Sequence, residues 1–152
     1  MKIWVDADAC PGPVRDILLR AVQRVKVPIV FVANKPLALP RLAYVSTVQV
    51  GAGLDVAHRH IATSAEAGDL AVTQDIPLAA LLVPKGVVVM DPRGELFTPE
   101  TIDERLSMRN FMQELRDSGV NTGGPGGFSP QDRQQFAATL DRELTRLVKQ
   151  QG

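Results

Sequence analysis

A chain of 152 residues, 45% hydrophobic and 22% charged, has the size and composition of one ordinary soluble domain with room for a substantial core. Its 17 Lys and Arg balance its 17 Asp and Glu, which excludes a global basic field, so nucleic-acid binding needs a local patch. No stretch supplies the ~20 apolar residues of a membrane helix, no basic segment precedes a long apolar run, and the single cysteine, Cys10, has no internal disulfide partner; a cytoplasmic protein without a membrane partner is expected.

Ile3, Trp4 and Val5 have the β-branched and aromatic bias of a buried central strand, which delivers Asp6 and Asp8 to its carboxyl end. After Pro11-Gly12-Pro13, apolar residues at Val14, Ile17, Leu18, Ala21, Val22 and Val25 follow the spacing of an amphipathic helix. Ile29 to Ala33 reads as a second buried strand with Asn34 at its end, and Tyr44 to Val50 as a third, edge-ward one. Gly51 and Gly53 flank a turn into a helix over Leu54 to Ala67, with Asp55 in its first turn. A turn at Gly68-Asp69 leads to Leu70 to Asp75, again a short apolar strand ending in an acid. Pro77 to Val83 suits a short helix, and Val87 to Met90 a last strand ending at Asp91. This alternation predicts a three-layer α/β fold: a mostly parallel, Rossmann-like sheet of about five strands, with helices on both faces and right-handed crossovers.

From Thr98 the signals are helical only. Thr98-Pro99-Glu100-Thr101 combines a capping residue, a first-turn proline and a first-turn acid, and helical spacing runs to Asp117, with Gly119 as the stop. Gly123 to Gly127 forms a flexible break, after which Ser129-Pro130-Gln131-Asp132 starts a final helix with Phe136, Leu140, Leu144, Leu147 and Val148 on one face. Each of these helices has one apolar stripe to bury, so residues 98–152 are expected to pack as a helical extension on an α/β core of residues 1–97, within a single domain. The Gly-rich stretch is no phosphate-binding loop, since it lacks a following Lys-Ser/Thr and no strand precedes it.

In open α/β sheets the carboxyl ends of the strands face the ligand crevice. Asp6 and Asp8 follow the first strand, Asp55 begins the helix after the third, and Asp75 ends the fourth, so a parallel sheet brings them to one rim. Carboxylates gathered this closely repel one another unless a hard cation neutralises them, and Mg²⁺ or Mn²⁺ is the natural occupant. Such ions activate a water and stabilise the departing oxygen of a phosphodiester. Thr73, two residues before Asp75, points to the same side of a strand and offers its hydroxyl to a ligand or carboxylate. The alternative use of Asp6 or Asp8 is helix capping, for which one acid suffices. Successive strand residues face opposite sides, so the two share a face only if strand geometry continues past Val5; Asp6 is the safer ligand and Asp8 the conditional one.

Other residues carry two readings each. His58 shares the helical face of Asp55 and can join a metal shell or stand as a solvated helix histidine. Asp91 ends a strand as the ligands do, yet Asp91-Pro92-Arg93-Gly94 is also a plain turn sequence. Asp69, at the opposite end of its strand, reads as a turn residue, and Cys10 as a buried small hydrophobe. Arg105, Arg109 and Arg116 fall along one helical stripe that can contact substrate phosphates, or form a solvated face paired with Glu104, Glu114 or Asp117.

Val5-Asp6-Ala7-Asp8-Ala9-Cys10-Pro11, Gly53-Leu54-Asp55-Val56-Ala57, Gly68 through Ala79 and Asp91-Pro92-Arg93-Gly94, continued by Leu106-Ser107-Met108-Arg109 and Gly123-Gly124-Pro125, resemble the uncharacterised bacterial YaiI/YqxD family over nearly the full length. That family is similar to the PIN-like group, whose better-known members are metal-dependent ribonucleases. The resemblance implies that Asp6, Asp55 and Asp75 occupy the acidic positions of a nuclease site and that Thr73 is the Thr of its Thr-x-Asp signature. One departure matters: after Asp55 the family pattern has Ala-Asp, whereas this chain has Ala57-His58, a side chain that prefers softer metals than Mg²⁺.

Three functions remain in view. The first is a Mg²⁺- or Mn²⁺-dependent endoribonuclease acting on RNA or another phosphodiester, with Asp6, Asp8, Asp55 and Asp75 around the metal. The second is a haloacid-dehalogenase-like phosphatase with Asp6 as nucleophile and Asp8 as acid/base, against which Gly68-Asp69 precedes its strand rather than following it. The third is a protein that binds metal or RNA without turnover.

Overall fold

Strand β1, Ile3–Asp6, is buried along its whole length and lies inside the sheet, between two parallel neighbours. The computed structural model describes residues 1–53, 55–123 and 127–151; the expected helix start at Leu54 and the Gly124-Pro125-Gly126 part of the glycine-rich break lie outside them. After β1 come α1 (Gly12–Val25), β2 (Ile29–Ala33), β3 (Val45–Gln49), α2 (Val56–Ser64), β4 (Leu70–Val72) and α3 (Ile76–Leu82). Then follow β5 (Val88–Met90), β6 (Leu96–Phe97), α4 (Ile102–Asp117) and α5 (Pro130–Gln151).

The strands stand in the order β3-β2-β1-β4-β5-β6, and every neighbouring pair except β5 and β6 is parallel. The order reverses between β1 and β4, because the chain returns past its first strand after β3. In such doubly wound sheets the ligand crevice opens at the carboxyl ends beside that reversal. Side chains alternate across the pleat: Ile3 and Val5 pack with Val14, Leu18 and Val22 of α1 and with Phe136, Leu140 and Leu144 of α5. Trp4 faces the other layer, with Ala57 and Ile61 of α2 and Leu78 and Leu82 of α3. Helices on both faces explain why Ile29–Ala33 is an unbroken buried run, while β3 is half-exposed at the edge.

The parallel, helix-flanked sheet expected from the alternating signals is what the chain forms, with one strand more. β6 is antiparallel to β5 and only two residues long, too short to display a strand period. The two C-terminal helices differ. α5 starts on a reciprocal cap, the Asp132 amide donating to Ser129 Oγ at 3.1 Å and the Ser129 amide to Asp132 Oδ2 at 3.0 Å, and it buries Phe136, Leu140, Leu144 and Leu147. α4 buries Ile102, but Met108 and Phe111 of its apolar stripe stay exposed, because α2 and α3 already cover that face and α4 lies along α3. Among the described residues no helix is long and apolar enough to cross a membrane.

At the amino end of the parallel strands Asp69 is buried, and its carboxylate ties three segments together. Oδ1 accepts the Lys2 amide at 2.9 Å, and Oδ2 accepts the Trp4 indole at 3.1 Å and the Glu66 amide at 2.9 Å. The residue expected as a simple turn former therefore pins β1 to the entry of β4. Asp69→Ala leaves three donors without an acceptor and is expected to cost roughly 3 kcal/mol or more, read as a lower urea midpoint at an unchanged m-value.

Candidate functional site

β1 ends at Asp6 on the same face as Trp4, so the Asp6 carboxylate points toward α2 and α3 and is buried. The Thr73 hydroxyl, just past β4 and itself buried, donates to Asp6 Oδ2 at 3.0 Å and accepts the Asp75 amide at 3.0 Å. Asp75 is the N-cap of α3: its Oδ1 accepts the Leu78 amide at 2.7 Å, and Pro77 occupies the first turn, which turns Oδ2 inward. Asp55 precedes α2 with φ of 69°, a left-handed backbone uncommon outside glycine, asparagine and aspartate. Its side chain makes no cap and stands mostly in solvent.

The three carboxylates meet at one ring. His58 Nε2 lies 3.0 Å from Asp6 Oδ2, and Nδ1 lies 3.5 Å from both Asp55 Oδ1 and Asp75 Oδ2. Burial by itself would lower the His58 pKa, but the charges of Asp6 and Asp75 and the hydrogen bonds to Asp6 and Asp55 outweigh it and hold the ring above its ordinary 6.5. Of the two readings open to His58, the ring takes the one that joins the acids, and the signal for it in the sequence is its position three residues after Asp55. The acid that caps a helix is Asp75 rather than Asp6 or Asp8, and Pro77 two residues on marks it in the sequence.

The structure does not bring Asp8 into this group. A turn of 3-10 helix over Ala7–Ala9 ends the strand geometry, and Asp8 Oδ2 accepts the Asn34 amide at 2.9 Å instead. Asp91 is occupied in its own turn, where Oδ1 accepts the Arg93 amide at 2.9 Å and the Glu95 amide at 3.0 Å; burial pushes its pKa up while those bonds oppose the rise. The three arginines of α4 separate. Arg109 lines an open cleft of about 360 Å³ with Asp55, His58, Asp75 and Arg59, Arg105 lines a different cleft, and Arg116 donates to Gln113 at 3.0 Å. Burial pushes the Cys10 thiol up to about 12, with Arg15 opposing and Asp6 adding to the rise, so Cys10 is no nucleophile.

Asp6, Asp55 and Asp75 offer the hard oxygen donors that Mg²⁺ or Mn²⁺ takes, and their charge suits a dication. As placed, however, they do not form a cage: among the described residues no group of three or more His, Cys, Asp and Glu is disposed to hold an ion. The His58 ring fills the space between them, so the donor chemistry fits a divalent ion only with that ring turned aside.

These features define a doubly wound α/β protein with an acidic cluster at the reversal of its strand order. The chain belongs to the YaiI/YqxD family, described as an uncharacterized BCR family, whose profile matches residues 4–146. A UPF0178 protein of Myxococcus xanthus is 82% identical over 149 residues, covering 98% of this chain and 97% of the relative. UPF0178 proteins of Syntrophobacter fumaroxidans and Bordetella avium are each 55% identical, over 152 and 150 residues, covering 100% and 99% of this chain and 99% and 97% of those relatives. No solved structure matches the chain.

The raised His58 value has a fixed sign. The folded chain binds this proton more tightly than the unfolded one, so the stabilisation is complete below about pH 6.5 and is lost as pH rises through the folded-state value. Thermal melts in chelator are expected to show a midpoint that falls as pH rises through neutrality, and His58→Gln is expected to flatten that part of the curve.

Proposed function

We propose that this chain is a PIN-like nuclease that hydrolyses RNA phosphodiesters, with Mg²⁺ or Mn²⁺ held by Asp6, Asp55 and Asp75. The observation that carries this reading is the meeting of three carboxylates from three separate elements at one point beside the β1–β4 reversal. The resemblance of Asp6, Asp55, Asp75 and Thr73 to the acidic positions and Thr-x-Asp signature of that group adds to it. When bound, the ion supplies the positive charge against which the oxygens of a phosphodiester are stabilised.

The residues of the chain do the arranging. Thr73 fixes Asp6 through its hydroxyl, and the amide of Leu78 fixes Asp75, so both acids are oriented before any ligand arrives. Arg109 lines the cleft from α4 and offers a guanidinium for a substrate phosphate. His58 competes with the ion for the same carboxylates. Asp8 is turned to the Asn34 amide rather than to the other acids, which supports the metal reading over a haloacid-dehalogenase-like phosphatase with Asp8 as acid/base beside Asp6.

The filled space between the carboxylates favours one second reading, RNA or metal binding without turnover. A single assay separates the two. Purified protein with labelled single-stranded RNA and Mn²⁺ or Mg²⁺ is expected to yield cleavage products that chelator abolishes. Asp6→Asn is expected to slow the reaction by at least roughly 100-fold, and Asp8→Asn to leave it near the parent rate. Residual cleavage equal in the parent and Asp6→Asn would sink the nuclease reading.

A further inference from the structure

The acid cleft has a neighbour. Gln74, Asp75 and Ile76 are consecutive, yet Asp75 lines the cleft of the carboxylates while Gln74 and Ile76 line a second, larger one of about 620 Å³. The two openings therefore lie on either side of one short ridge of backbone, which Gln74 Nε2 ties to the Ala9 carbonyl at 3.1 Å. The far wall of the second cleft is formed by the turn after β5, carrying Asp91 and Arg93, and by Arg105 from the start of α4.

Both cationic walls are held in place. The Arg105 guanidinium carbon sits 4.3 Å from the centre of the Phe97 ring and Nη1 lies 3.3 Å from Glu95 Oε2, so the group is held by an aromatic ring and a carboxylate. Its side chain is 29% exposed, and it borders the cleft. Arg93, whose Nη1 lies 3.9 Å from Asp132 Oδ2, rides on a turn that the Asp91 carboxylate closes through two backbone amides. α5 locks that turn from behind. Thr139 Oγ1 donates to the Gly94 carbonyl at 2.8 Å, and a Cβ on Gly94, whose φ is +89°, would lie 2.6 Å from the Gln135 carbonyl oxygen. Only glycine fits there, so the placement of Arg93 is specified by the backbone beneath it. Two carboxylates also border the cleft, but Asp91 Oδ1 is engaged by amides and Glu95 by Arg105.

We propose that this second cleft is a nucleotide subsite for single-stranded RNA, taking one base on the Arg105 plane and its phosphate on Arg93. Unstacked bases of single-stranded RNA are bound by stacking on aromatic rings and on guanidinium planes, and arginine is the usual partner of a phosphate. The opening is larger than a lone phosphate needs and lies within the range of sites that enclose small organic ligands. Its place across the Gln74–Ile76 ridge puts the bound nucleotide next in line to the one over the carboxylates. The subsite rests on the reading of the carboxylate cleft as a site of RNA, but it needs no turnover.

The test is binding without cleavage: fluorescence anisotropy of a fluorescein-labelled single-stranded decaribonucleotide with the full chain in chelator. Arg105→Ala is expected to weaken affinity about tenfold, the effect of losing one stacked base. Arg105→Lys, which keeps the charge and the pairing with Glu95 but not the plane, is expected to weaken it comparably. Arg93→Ala is expected to weaken binding and to reduce its salt dependence by about one ion. Thermal melts identify any variant that does not fold, in which case the remaining two decide. Parent-like affinity in the folded arginine variants, or no RNA binding by the parent chain, overturns the subsite. Cleavage failing while these arginines still govern binding would instead overturn only the hydrolytic reading.

Discussion

Three carboxylates at one rim need positive charge between them. Like charges about 4 Å apart oppose one another by roughly 4 kcal/mol near a protein surface, more than most single hydrogen bonds return. In this chain the His58 ring stands at that point, 3.0 Å from Asp6 and 3.5 Å from Asp55 and Asp75. The neighbouring geometry follows from that need. Thr73 gives Asp6 a donor it would otherwise take from water, the α3 amide of Leu78 draws charge off Asp75, and Asp55 keeps its side chain in solvent, where a charge costs least. The buried acid is thus the one with the most donors, and the acid without a cap or an amide is the exposed one.

The same balance sets what a different side chain at position 58 would do. A carboxylate at position 58 would add a fourth negative charge to the cluster, where the His58 ring adds a proton-binding site whose pKa those charges raise. With Ala57-His58 in place of the Ala-Asp that the resemblance implies, the donor at this position is nitrogen rather than oxygen.

The sheet was legible in the sequence because parallel strands covered on both faces are continuous apolar runs, and Ile3–Asp6, Ile29–Ala33 and Leu70–Val72 are such runs. The rule that strand ends face the crevice was enough to bring Asp6, Asp55 and Asp75 together on paper. Alternation across a strand already made Asp6 the safer ligand and Asp8 the conditional one; that the strand gives way to a 3-10 turn over Ala7–Ala9, with Asp8 Oδ2 on the Asn34 amide, is a tertiary outcome no local pattern reports. β6 escaped for a different reason: two residues have no period. The exposure of Met108 and Phe111 on α4 depends on which face α2 and α3 had already covered, and amphipathic spacing is blind to that.

α5 shows how a segment distant in the chain shapes the rim, with Thr139 on the Gly94 carbonyl and Asp132 Oδ2 3.9 Å from Arg93 Nη1. Phe136, Leu140 and Leu144 complete the layer under β1 and β2, and the backbone of Gln135 that comes with them leaves no room for a Cβ at Gly94. The turn after β5 is therefore positioned by helix packing on the opposite face of the sheet, and Arg93 inherits its place from that packing. In a chain with 17 cationic and 17 anionic side chains, a strong positive field arises only where a few charges are held in fixed positions. A turn clamped between its own carboxylate and a buried helix is a rigid enough support for one of them, and the Phe97 ring beneath Arg105 is the equivalent for another.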